Sequence, residues 1–257
     1  MTRSIEMSSG NIPILTYHSL DESRSVISTS PVTFKKQMEY LWENGYQALS
    51  LSEAVSFIYL KKAFPEKTFV ITFDDGYQNA CTEAFPVLKQ YGFKGTVFLV
   101  TDYCGKYNNW PGHSRRIERR PLLSWSEIKE MQQSGMEFGA HTLTHPDLTR
   151  LTIQQAEQEI LQSKDRIQDH LGMGVQVFAY PYGKYDAKIK EIVRRHFRGA
   201  CSSKLGTVEQ DCDPYALRRV DMYYLSKTML FRALSTHALD WYLGVRQAFR
   251  ELKEVFR

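Results

Sequence analysis

The chain has 257 residues, of which 42% are hydrophobic and 24% are charged, and this balance excludes a disordered or fibrous protein. The formal net charge is only +4, which does not indicate a nucleic-acid-binding protein. No run approaches the roughly 18 consecutive apolar residues of a membrane-spanning helix. The amino-terminal residues also lack the apolar core of a signal peptide, so we expect a cytoplasmic location unless the sequence is part of a longer chain.

Short apolar segments rich in β-branched residues recur along the chain. Several are apolar at every position rather than at alternate positions, which is typical of parallel strands covered on both faces. The predicted strands are residues 12–17, 46–49, 68–73, 96–100, 136–140, 175–180, 200–202 and 216–220.

Segments with apolar residues three or four positions apart separate these strands and predict helices. Ser124 and Glu127 have the spacing of a capping box, and Gly45, Gly92 and Gly172 follow three of the segments as stop signals. The predicted helices are residues 32–44, 51–62, 79–91, 124–134, 152–171, 186–197 and 226–238, followed by an amphipathic helix over 238–257.

This alternation of strands and helices predicts a single α/β domain with a parallel sheet. About seven or eight such units in roughly 250 residues favour a closed (β/α) barrel, with an open doubly wound sheet as the alternative. The glycine-rich phosphate-binding motifs of many open sheets follow none of the strands. In both folds the functional residues gather at the carboxyl ends of the strands.

Two aspartates follow the strand predicted at 68–73, in the segment KTFVITFDDGYQNA. One of the carboxylates of Asp74 and Asp75 can ligate a cation while the other faces a reacting water, and two charges so close need a cation or a proton between them. Asp-Gly is also a common turn dipeptide, so the pair by itself does not identify a site.

Two histidines follow the strand predicted at 136–140, in HTLTH. Alone, His141 and His145 are a weak signal, but two imidazoles and one carboxylate are a ligand set typical of catalytic metal sites. The turn YPYG follows the strand predicted at 175–180. It is either a simple turn or a rigid one that directs the backbone N–H of Tyr182 at a developing oxyanion.

Together and in this order, TFDDG, HTLTH and YPYG resemble the NodB-homology polysaccharide deacetylases of carbohydrate esterase family 4. The resemblance covers roughly residues 14–220 and implies a distorted (β/α)7 barrel. It also implies metal-dependent hydrolysis of N-acetyl groups on N-acetylated amino sugars of a polysaccharide or its precursor.

The resemblance also implies roles for individual residues. Asp75, His141 and His145 are expected to bind one divalent metal ion, zinc by default, although nickel, cobalt, iron or manganese suit the same ligands. Asp74 is expected to be the base that activates a metal-bound water, and the N–H of Tyr182 is expected to share the oxyanion with the metal.

Two positions depart from the family's usual pattern. Phe178 stands where an arginine usually orients the base, and we expect Arg219 to replace that arginine, with Arg218 as the alternative. The usual late histidine, the acid, is represented only by His237, in or after a helix. His18 instead follows the first predicted strand, an order that resembles the circularly permuted subgroup of biofilm glycan deacetylases, so we expect His18 to be the acid.

Residues 101–123 form a segment too long for an ordinary loop, and we expect it on the active-site side. Its basic residues fit an acidic glycan, a lipid-linked diphosphate sugar or a membrane surface, and equally a solvated lid. The candidates for substrate binding are Tyr77, Trp110, Trp125, Pro181, Tyr182 and Tyr185, although most such aromatic residues serve packing alone.

The helix predicted at 238–257 has an apolar face formed by Trp241, Val245, Ala248, Phe249, Leu252 and Phe256. We expect this face to pack on the barrel or on a second subunit, with an interfacial membrane helix as the alternative. Two other functions stay open: a deformylase or amidase for a small N-acyl compound, and a catalytically silent glycan-binding barrel. The complete set of two aspartates and two histidines argues against the silent protein.

Overall fold

Ten strands make up the sheets in the described part of the chain, residues 11–255 except 115, 227 and 236, of this computed structural model. They are β1 (Ile14–Tyr17), β2 (Ser19–Leu20), β3 (Ser28–Thr29), β4 (Gln47–Leu49), β5 (Thr68–Phe73), β6 (Thr96–Leu99), β7 (Glu137–Ala140), β8 (Val177–Ala179), β9 (Gly199–Leu205) and β10 (Leu217–Asp221).

Eight α-helices accompany the strands within the same described residues. They are α1 (Pro31–Glu43), α2 (Leu51–Tyr59), α3 (Phe85–Tyr91), α4 (Trp125–Gln133), α5 (Ile153–Leu171), α6 (Ala187–His196), α7 (Thr228–Phe231) and α8 (His237–Val255). None of these described helices has both the length and the apolarity that a membrane span requires.

Seven strands close into a parallel barrel. The strands pair in the order β1, β10, β9, β8, β7, β6 and β5, and the pairing of β5 with β1, from Ile14 opposite Val70 to Tyr17 opposite Phe73, closes the ring. Strand β4 adds to β5, while β2 and β3 form a separate pair. The predicted α/β fold with a distorted (β/α)7 barrel is confirmed, and the open-sheet alternative is wrong because β1 and β5 pair with each other.

Alternate residues of the barrel strands contribute to two different buried clusters, because successive side chains on a strand point to opposite faces. Leu15 and Ile71 belong to the larger cluster, which includes the apolar faces of the surrounding helices. The smaller cluster fills the barrel with side chains that share the strand face of the site residues described below. Its members include Ile14, Val70, Phe98, Val177 and Leu217.

Gly139 on β7 makes room for this interior packing. A Cβ atom at this position would lie 2.6 Å from the ring of Phe98 and 2.9 Å from the carbonyl oxygen of Val177. No side chain fits there, so the Phe98 ring occupies the space beside β7. The centroid of that ring lies 6.3 Å from the centroid of the His141 ring, and the ring therefore forms an apolar floor next to the site.

Side-chain caps define where the helices begin. The capping box predicted at Ser124 and Glu127 is confirmed at the start of α4. Helix α5 begins with a second box, formed by Thr152 and Gln155, and ends at Gly172, whose φ of +67° lies in the left-handed region. Ala156, Ile160, Ser163 and Ile167 form the buried face of α5, whereas Ile153 at its start is exposed.

Helix α8 packs on the barrel with a face different from the predicted one. Leu239 and Leu243 are buried against the core, whereas Trp241 is 73% exposed and Phe249 and Leu252 are also exposed. The prediction that the Trp241 face packs on the barrel is therefore wrong. The physical reason is that the opposite side of the helix is also bonded to β9. The side-chain oxygen of Gln247, on α8, accepts a hydrogen bond from the backbone N–H of Leu205, on β9, at 2.9 Å. Of the predicted face, Phe256 lies outside the described residues.

Candidate active site

A cavity of about 420 Å³ opens at the carboxyl ends of the barrel strands. Four strands deliver polar side chains to it: His18 follows β1, Asp74 and Asp75 follow β5, His141 follows β7, and Arg219 lies in β10. All strands of a parallel barrel end on the same side, so residues far apart in sequence meet at one mouth. The prediction that these residues converge is confirmed.

Asp74 and Arg219 form a buried ion pair in this cavity. The two terminal guanidinium nitrogens donate to Oδ1 and Oδ2 of Asp74, each at 2.7 Å, and Nε donates to the carbonyl oxygen of Ser202 at 2.8 Å. Burial alone would raise the pKa of Asp74, but the charge and hydrogen bonds of Arg219 outweigh burial and hold that pKa below its ordinary value. Asp74 is thus an oriented, ionised carboxylate at neutral pH.

The strand pleat decides which arginine contacts Asp74. Arg219 is 5% exposed and shares a strand face with Leu217, which lies inside the barrel. Arg218, the alternative, points the opposite way and is exposed to solvent. The arginine beside the carboxylate is therefore Arg219. Phe178 belongs to the larger buried cluster, between the barrel and the helices, and its ring centroid lies 5.2 Å from that of Phe197. The side chain of Phe178 is therefore outside the site.

Three buried side chains place metal-ligating atoms close together. Oδ1 of Asp75 lies 3.5 Å from Nε2 of His141 and 3.3 Å from Nε2 of His145. One potential ligand atom from each residue lies within 4.8 Å of the others. One carboxylate and two imidazoles suit a catalytic zinc or a related divalent ion, with positions left open for water and substrate.

The environment of these side chains fits a bound cation. Nδ1 of His141 bonds to the carbonyl oxygen of Ala179 at 2.7 Å, so this nitrogen carries the proton and Nε2 is free to ligate a cation. Burial lowers the pKa of His141, but the hydrogen bond with Asp75 and the charges of Asp74 and Asp75 together outweigh burial and raise that pKa, so the surroundings attract positive charge. Burial holds the pKa of His145 at about 3, so this imidazole is neutral as ligation requires.

Aromatic rings hold His145 in place. Its Nδ1 is buried and has no hydrogen-bond partner among the described residues, whereas histidine ligands usually donate this second N–H to a carbonyl or carboxylate. The ring instead lies between Trp110, at 4.7 Å between centroids, and Tyr182, at 4.6 Å. Ring packing therefore does the orienting that a hydrogen bond does for His141.

The backbone of the site is strained. Asp75, Thr142, His145 and Tyr182 have φ angles of 70°, 67°, 59° and 58°, all in the left-handed region that non-glycine residues rarely adopt. Each such residue costs about 1–3 kcal/mol, and such residues persist where the surrounding structure enforces them, as at active sites. Here the hydroxyl of Thr142 accepts the N–H of His145 at 2.9 Å and thereby closes the turn between the two histidines.

The HTLTH turn is also anchored from helix α5. The carboxylate of Glu159 accepts the backbone N–H groups of Leu143 at 2.9 Å and Thr144 at 3.0 Å, together with the hydroxyl of Thr144 at 2.7 Å. Two of these bonds satisfy backbone N–H groups that the irregular turn would otherwise leave unpaired. A rigid helix therefore sets the position of both histidines.

His18 lies beside the Asp74 carboxylate. Its Nε2 is 3.8 Å from Oδ2 of Asp74, and its side chain is 25% exposed toward the cavity. The alternative acid, His237, is the first residue of α8, and its side chain lies outside the described part of the chain. The structure therefore places His18 at the site, and His237 stays an alternative.

Residues 101–123 form one wall of the cavity. The N–H of Leu123 donates to the carbonyl oxygen of Gly76 at 2.8 Å, which joins this segment to the turn after β5. Trp110 and Tyr77 line the cavity and are almost fully buried. The fully buried Asn108 links the two parts, because its amide nitrogen donates to the hydroxyl of Tyr77 at 3.2 Å.

Two basic residues of this segment are engaged within the protein. Arg120 pairs with Asp21 at 3.0 Å, and the guanidinium of Arg119 lies 3.9 Å from the centroid of the Tyr107 ring. Arg115 lies outside the described residues. Both guanidinium groups keep further N–H donors, so the ligand predicted for this basic segment stays a prediction.

The YPYG turn is packed too tightly to change shape. Gly183 has a φ of +67°, and a Cβ atom there would lie 2.0 Å from Oγ of Ser203. That hydroxyl in turn donates to the carbonyl oxygen of Tyr182 at 3.3 Å. The peptides on both sides of Tyr182 are therefore held rigidly, while its ring is half exposed and lines the cavity.

Three of the predicted substrate-binding residues do not line the cavity. The ring of Trp125 stacks on His170 of α5 at 3.9 Å, and the ring of Tyr185 stacks on Tyr180 at 4.5 Å. Pro181 is buried within its turn. The structure thus places these three residues outside the cavity lining, and their contact with a sugar stays a prediction. Of the candidates, Tyr77, Trp110 and Tyr182 do line the cavity.

Sequence reasoning missed other side chains that line the cavity. Tyr223 follows β10, so the strand-end rule that found His18 would also have found it. His113 lies in the long segment that contains Trp110. Arg250 lies on α8, far from any motif, and nothing in the sequence marks it as a cavity residue.

The site and the fold agree with comparisons to known proteins. A family model described as polysaccharide deacetylase matches residues 61–197. YxkH of Bacillus subtilis, named as a polysaccharide deacetylase, is 32% identical over 210 residues, which cover 81% of this chain and 70% of that protein.

The chain belongs to the polysaccharide deacetylase family.

This deacetylase resembles two further members in detail. The poly-β-1,6-N-acetyl-D-glucosamine N-deacetylase of Staphylococcus epidermidis is 29% identical over 203 residues, or 75% of this chain and 67% of that one. The deacetylase PplD of Streptococcus pyogenes, solved in complex with acetate, matches with a TM-score of 0.74 and 26% identity, covering 83% of this chain and 93% of that one.

Family membership confirms the resemblance that TFDDG, HTLTH and YPYG indicated. This deacetylase is a hydrolase of carbon–nitrogen bonds other than peptide bonds, and the family is metal-dependent. The permuted order is confirmed as well. Strand β1, which His18 follows, precedes β5, the strand of TFDDG, in sequence, but in the barrel it lies between β5 and β10.

Proposed function

We propose that this deacetylase removes N-acetyl groups from N-acetylglucosamine units of a β-1,6-linked polysaccharide or its precursor. The observation that carries the proposal is the oriented Asp74–Arg219 pair directly beside the buried group of Asp75, His141 and His145. The Staphylococcus relative, named for deacetylation of this polymer, supports the choice of substrate.

Asp75, His141 and His145 would hold the metal ion, with zinc as the default for this donor set. When bound there, a divalent cation lowers the pKa of a water molecule and polarises the carbonyl of the substrate. The chain contributes the buried setting, in which Phe98 and Trp110 keep bulk water away from the ligands.

Asp74 would be the general base. Its carboxylate is ionised and held in one orientation by the two bonds from Arg219, so a lone pair faces the cavity at no further entropic cost. As the water oxygen bonds to the carbonyl carbon, its proton passes to Asp74. Arg219 cannot give up a proton itself, so it orients the base without competing for this proton.

The N–H of Tyr182 would stabilise the oxyanion that forms on the carbonyl oxygen. The left-handed turn and the contact of Gly183 with Ser203 fix the direction of this peptide before the substrate arrives. A donor that needs no rearrangement stabilises developing charge most effectively, and removal of such a donor costs roughly 10²–10³ in kcat.

His18 would be the general acid. When the carbon–nitrogen bond breaks, the His18 side chain would donate a proton to the sugar nitrogen, and acetic acid and the free amine leave. Its position 3.8 Å from Oδ2 of Asp74 keeps base and acid at one reacting centre. The side chain of His18 is 25% exposed toward the cavity, so it is accessible to the substrate there.

The test is acetate release from β-1,6-linked N-acetylglucosamine oligomers by the zinc-loaded protein. We expect Asp74→Asn to lower kcat by about 10²–10⁴ and His18→Gln to lower it similarly, with metal content near one ion per chain in both. Arg218→Gln is the matched control, because this side chain is exposed beside Arg219. His237→Gln tests the alternative acid and should leave kcat unchanged.

Three results would overturn parts of the proposal. Acetate or formate release from small N-acyl compounds alone would identify an amidase or deformylase. Glycan binding without any turnover would identify a silent binding protein. An Asp74→Asn variant with the kcat of the wild type would remove Asp74 as the base.

A further inference from the structure

The end of β10 and helix α8 form a wall of the cavity that the proposed mechanism does not use. Asp221, Tyr223, Tyr224 and Arg250 all line the cavity, and none of them touches the metal-ligating group or the Asp74–Arg219 pair. The ring of Tyr223 is 47% exposed, so one aromatic surface at the mouth is available to a ligand.

This wall is built from several interlocking contacts. The carboxylate of Asp221 accepts the N–H of Tyr223 at 3.0 Å and thereby holds the turn after β10. Tyr242 of α8 donates its hydroxyl to the carbonyl oxygen of Tyr224 at 3.3 Å. The ring of Tyr223 packs edge-on against that of Tyr224 at 5.4 Å, so the exposed ring has a rigid support.

Arg250 ties the wall to the catalytic turn. One of its terminal nitrogens donates to the carbonyl oxygen of Ser203 at 3.0 Å, and the hydroxyl of Ser203 bonds to Tyr182. A guanidinium has five N–H donors, so this bond leaves others for a ligand in the cavity. Helix α8 thus brings a fixed cation to the mouth of a site whose other cation, Arg219, is fully engaged by Asp74.

Strand register places this wall next to the proposed acid. Thr16 of β1 lies opposite Asp221 of β10, and the N–H of Met222 donates to the carbonyl oxygen of Thr16 at 3.1 Å. His18 follows the end of β1 and Tyr223 lies in the turn after β10, and both line the cavity. Because the proposed acid must approach the sugar nitrogen, this wall borders the part of the cavity that the N-acetylated sugar would occupy.

We propose that Tyr223, Arg250 and Asp221 form a subsite for a sugar ring that flanks the N-acetylated sugar in the polymer. The face of the Tyr223 ring stacks on the pyranose, while Arg250 and Asp221 bond to its hydroxyl groups. The inference rests on the proposed function and deepens it, because it makes an oligomer of at least two units, rather than a monosaccharide, the substrate.

The test compares two probes of different size in the zinc-loaded protein. One is a β-1,6-linked pentamer of N-acetylglucosamine, and the other is 4-nitrophenyl acetate, which has no second sugar. For Tyr223→Ala we expect KM for the pentamer to rise about tenfold with little change in kcat, because a flanking contact acts equally on ground and transition states. Tyr223→Phe should retain most of the affinity, since the ring surface remains.

Arg250 and a control residue complete the comparison. Arg250→Gln should also raise KM for the pentamer severalfold, and Arg250→Lys should restore part of the affinity. Phe249→Ala is the matched control, because Phe249 is an exposed aromatic residue on α8 that does not line the cavity. Its kinetic constants should equal those of the wild type.

The remaining outcomes contradict the inference in distinguishable ways. Wild-type activity on the pentamer with an unchanged KM in Tyr223→Ala would overturn the subsite and leave the proposed function standing. Equal losses on both probes would mean that the wall is only structural. Hydrolysis of 4-nitrophenyl acetate without any action on the pentamer by the wild type would overturn the proposed function and the subsite together.

Discussion

Replacing Arg219 by methionine should destabilise the whole fold, because it leaves the Asp74 carboxylate buried without a counter-charge. Asp74 is 3% exposed, and both of its oxygens accept hydrogen bonds from Arg219 at 2.7 Å. Removing one member of a buried pair costs about 3–5 kcal/mol. Since about 1.4 kcal/mol is a factor of ten, the ratio of folded to unfolded protein should fall by at least about a hundredfold.

Urea unfolding of four proteins measures this cost: the wild type, Arg219→Met, Asp74→Asn and the double variant. We expect both single variants to be destabilised, because Arg219→Met leaves a buried carboxylate and Asp74→Asn leaves a buried guanidinium without its counter-charge. The double variant should regain most of the stability lost in Arg219→Met, because neither charge remains, yet it should stay inactive. Arg218→Met, at an exposed position, should change the stability by less than about 0.5 kcal/mol.

Either of two results would refute this reasoning directly. If Arg219→Met unfolds at the urea concentration of the wild type, the guanidinium does not compensate a buried charge at Asp74. If the double variant is no more stable than Arg219→Met, the loss arises from packing around Arg219 and not from its pairing with Asp74.

Three further predictions concern the metal and the turns around it. Asp75→Ala should lose the ion, from about one per chain in the wild type to almost none by elemental analysis after identical reloading; equal contents would remove Asp75 as a ligand. Trp110→Leu should weaken zinc binding about tenfold in a chelator competition, because the indole ring orients His145; unchanged affinity would mean that other contacts suffice. Gly183→Ala should lower both the melting temperature and kcat, because its Cβ atom would collide with Ser203, and wild-type values of both would contradict the rigid turn.

The motifs at the strand ends could be found without the structure because parallel α/β folds restrict where polar residues occur. The strand before Asp74 is buried at all six positions, so two carboxylates at its end stand out from their surroundings. The same logic applies to His141 after β7 and to His18 after β1. Each position follows from strand direction alone, and no contact between strands has to be known.

The choice between Arg218 and Arg219 shows where this logic stops. Both are basic and adjacent, and the pleat turns one toward the barrel interior and the other toward solvent. A shift of one residue in the register of β10 would exchange their roles. The sequence around 216–220 does not define that register, which comes from pairing with β1 and from the bulge in the pairing of β10 with β9.

Aromatic residues were the least predictable part of the site. Trp110 and Trp125 belong to the same region of the sequence, yet one packs on the ligand His145 and the other stacks on His170. Either ring would gain free energy from burial in any apolar contact, so composition does not reveal the partner. The apolar stripe of α8 does not pack on the barrel for the same reason, since the barrel binds the other side of that helix, and packing of the stripe on a second subunit stays a prediction.

The amino-acid sequence by itself determined the class of fold, the family and the three residues that could ligate a metal ion, because these depend on the order of buried strands and on the residues directly after them. Only the tertiary structure decided that Arg219 orients Asp74, that Trp110 supports His145, and that Tyr223 and Arg250 complete the cavity. These contacts join segments separated by 35 to more than 100 positions in the chain. Their geometry depends on barrel closure and side-chain packing, which no local pattern encodes.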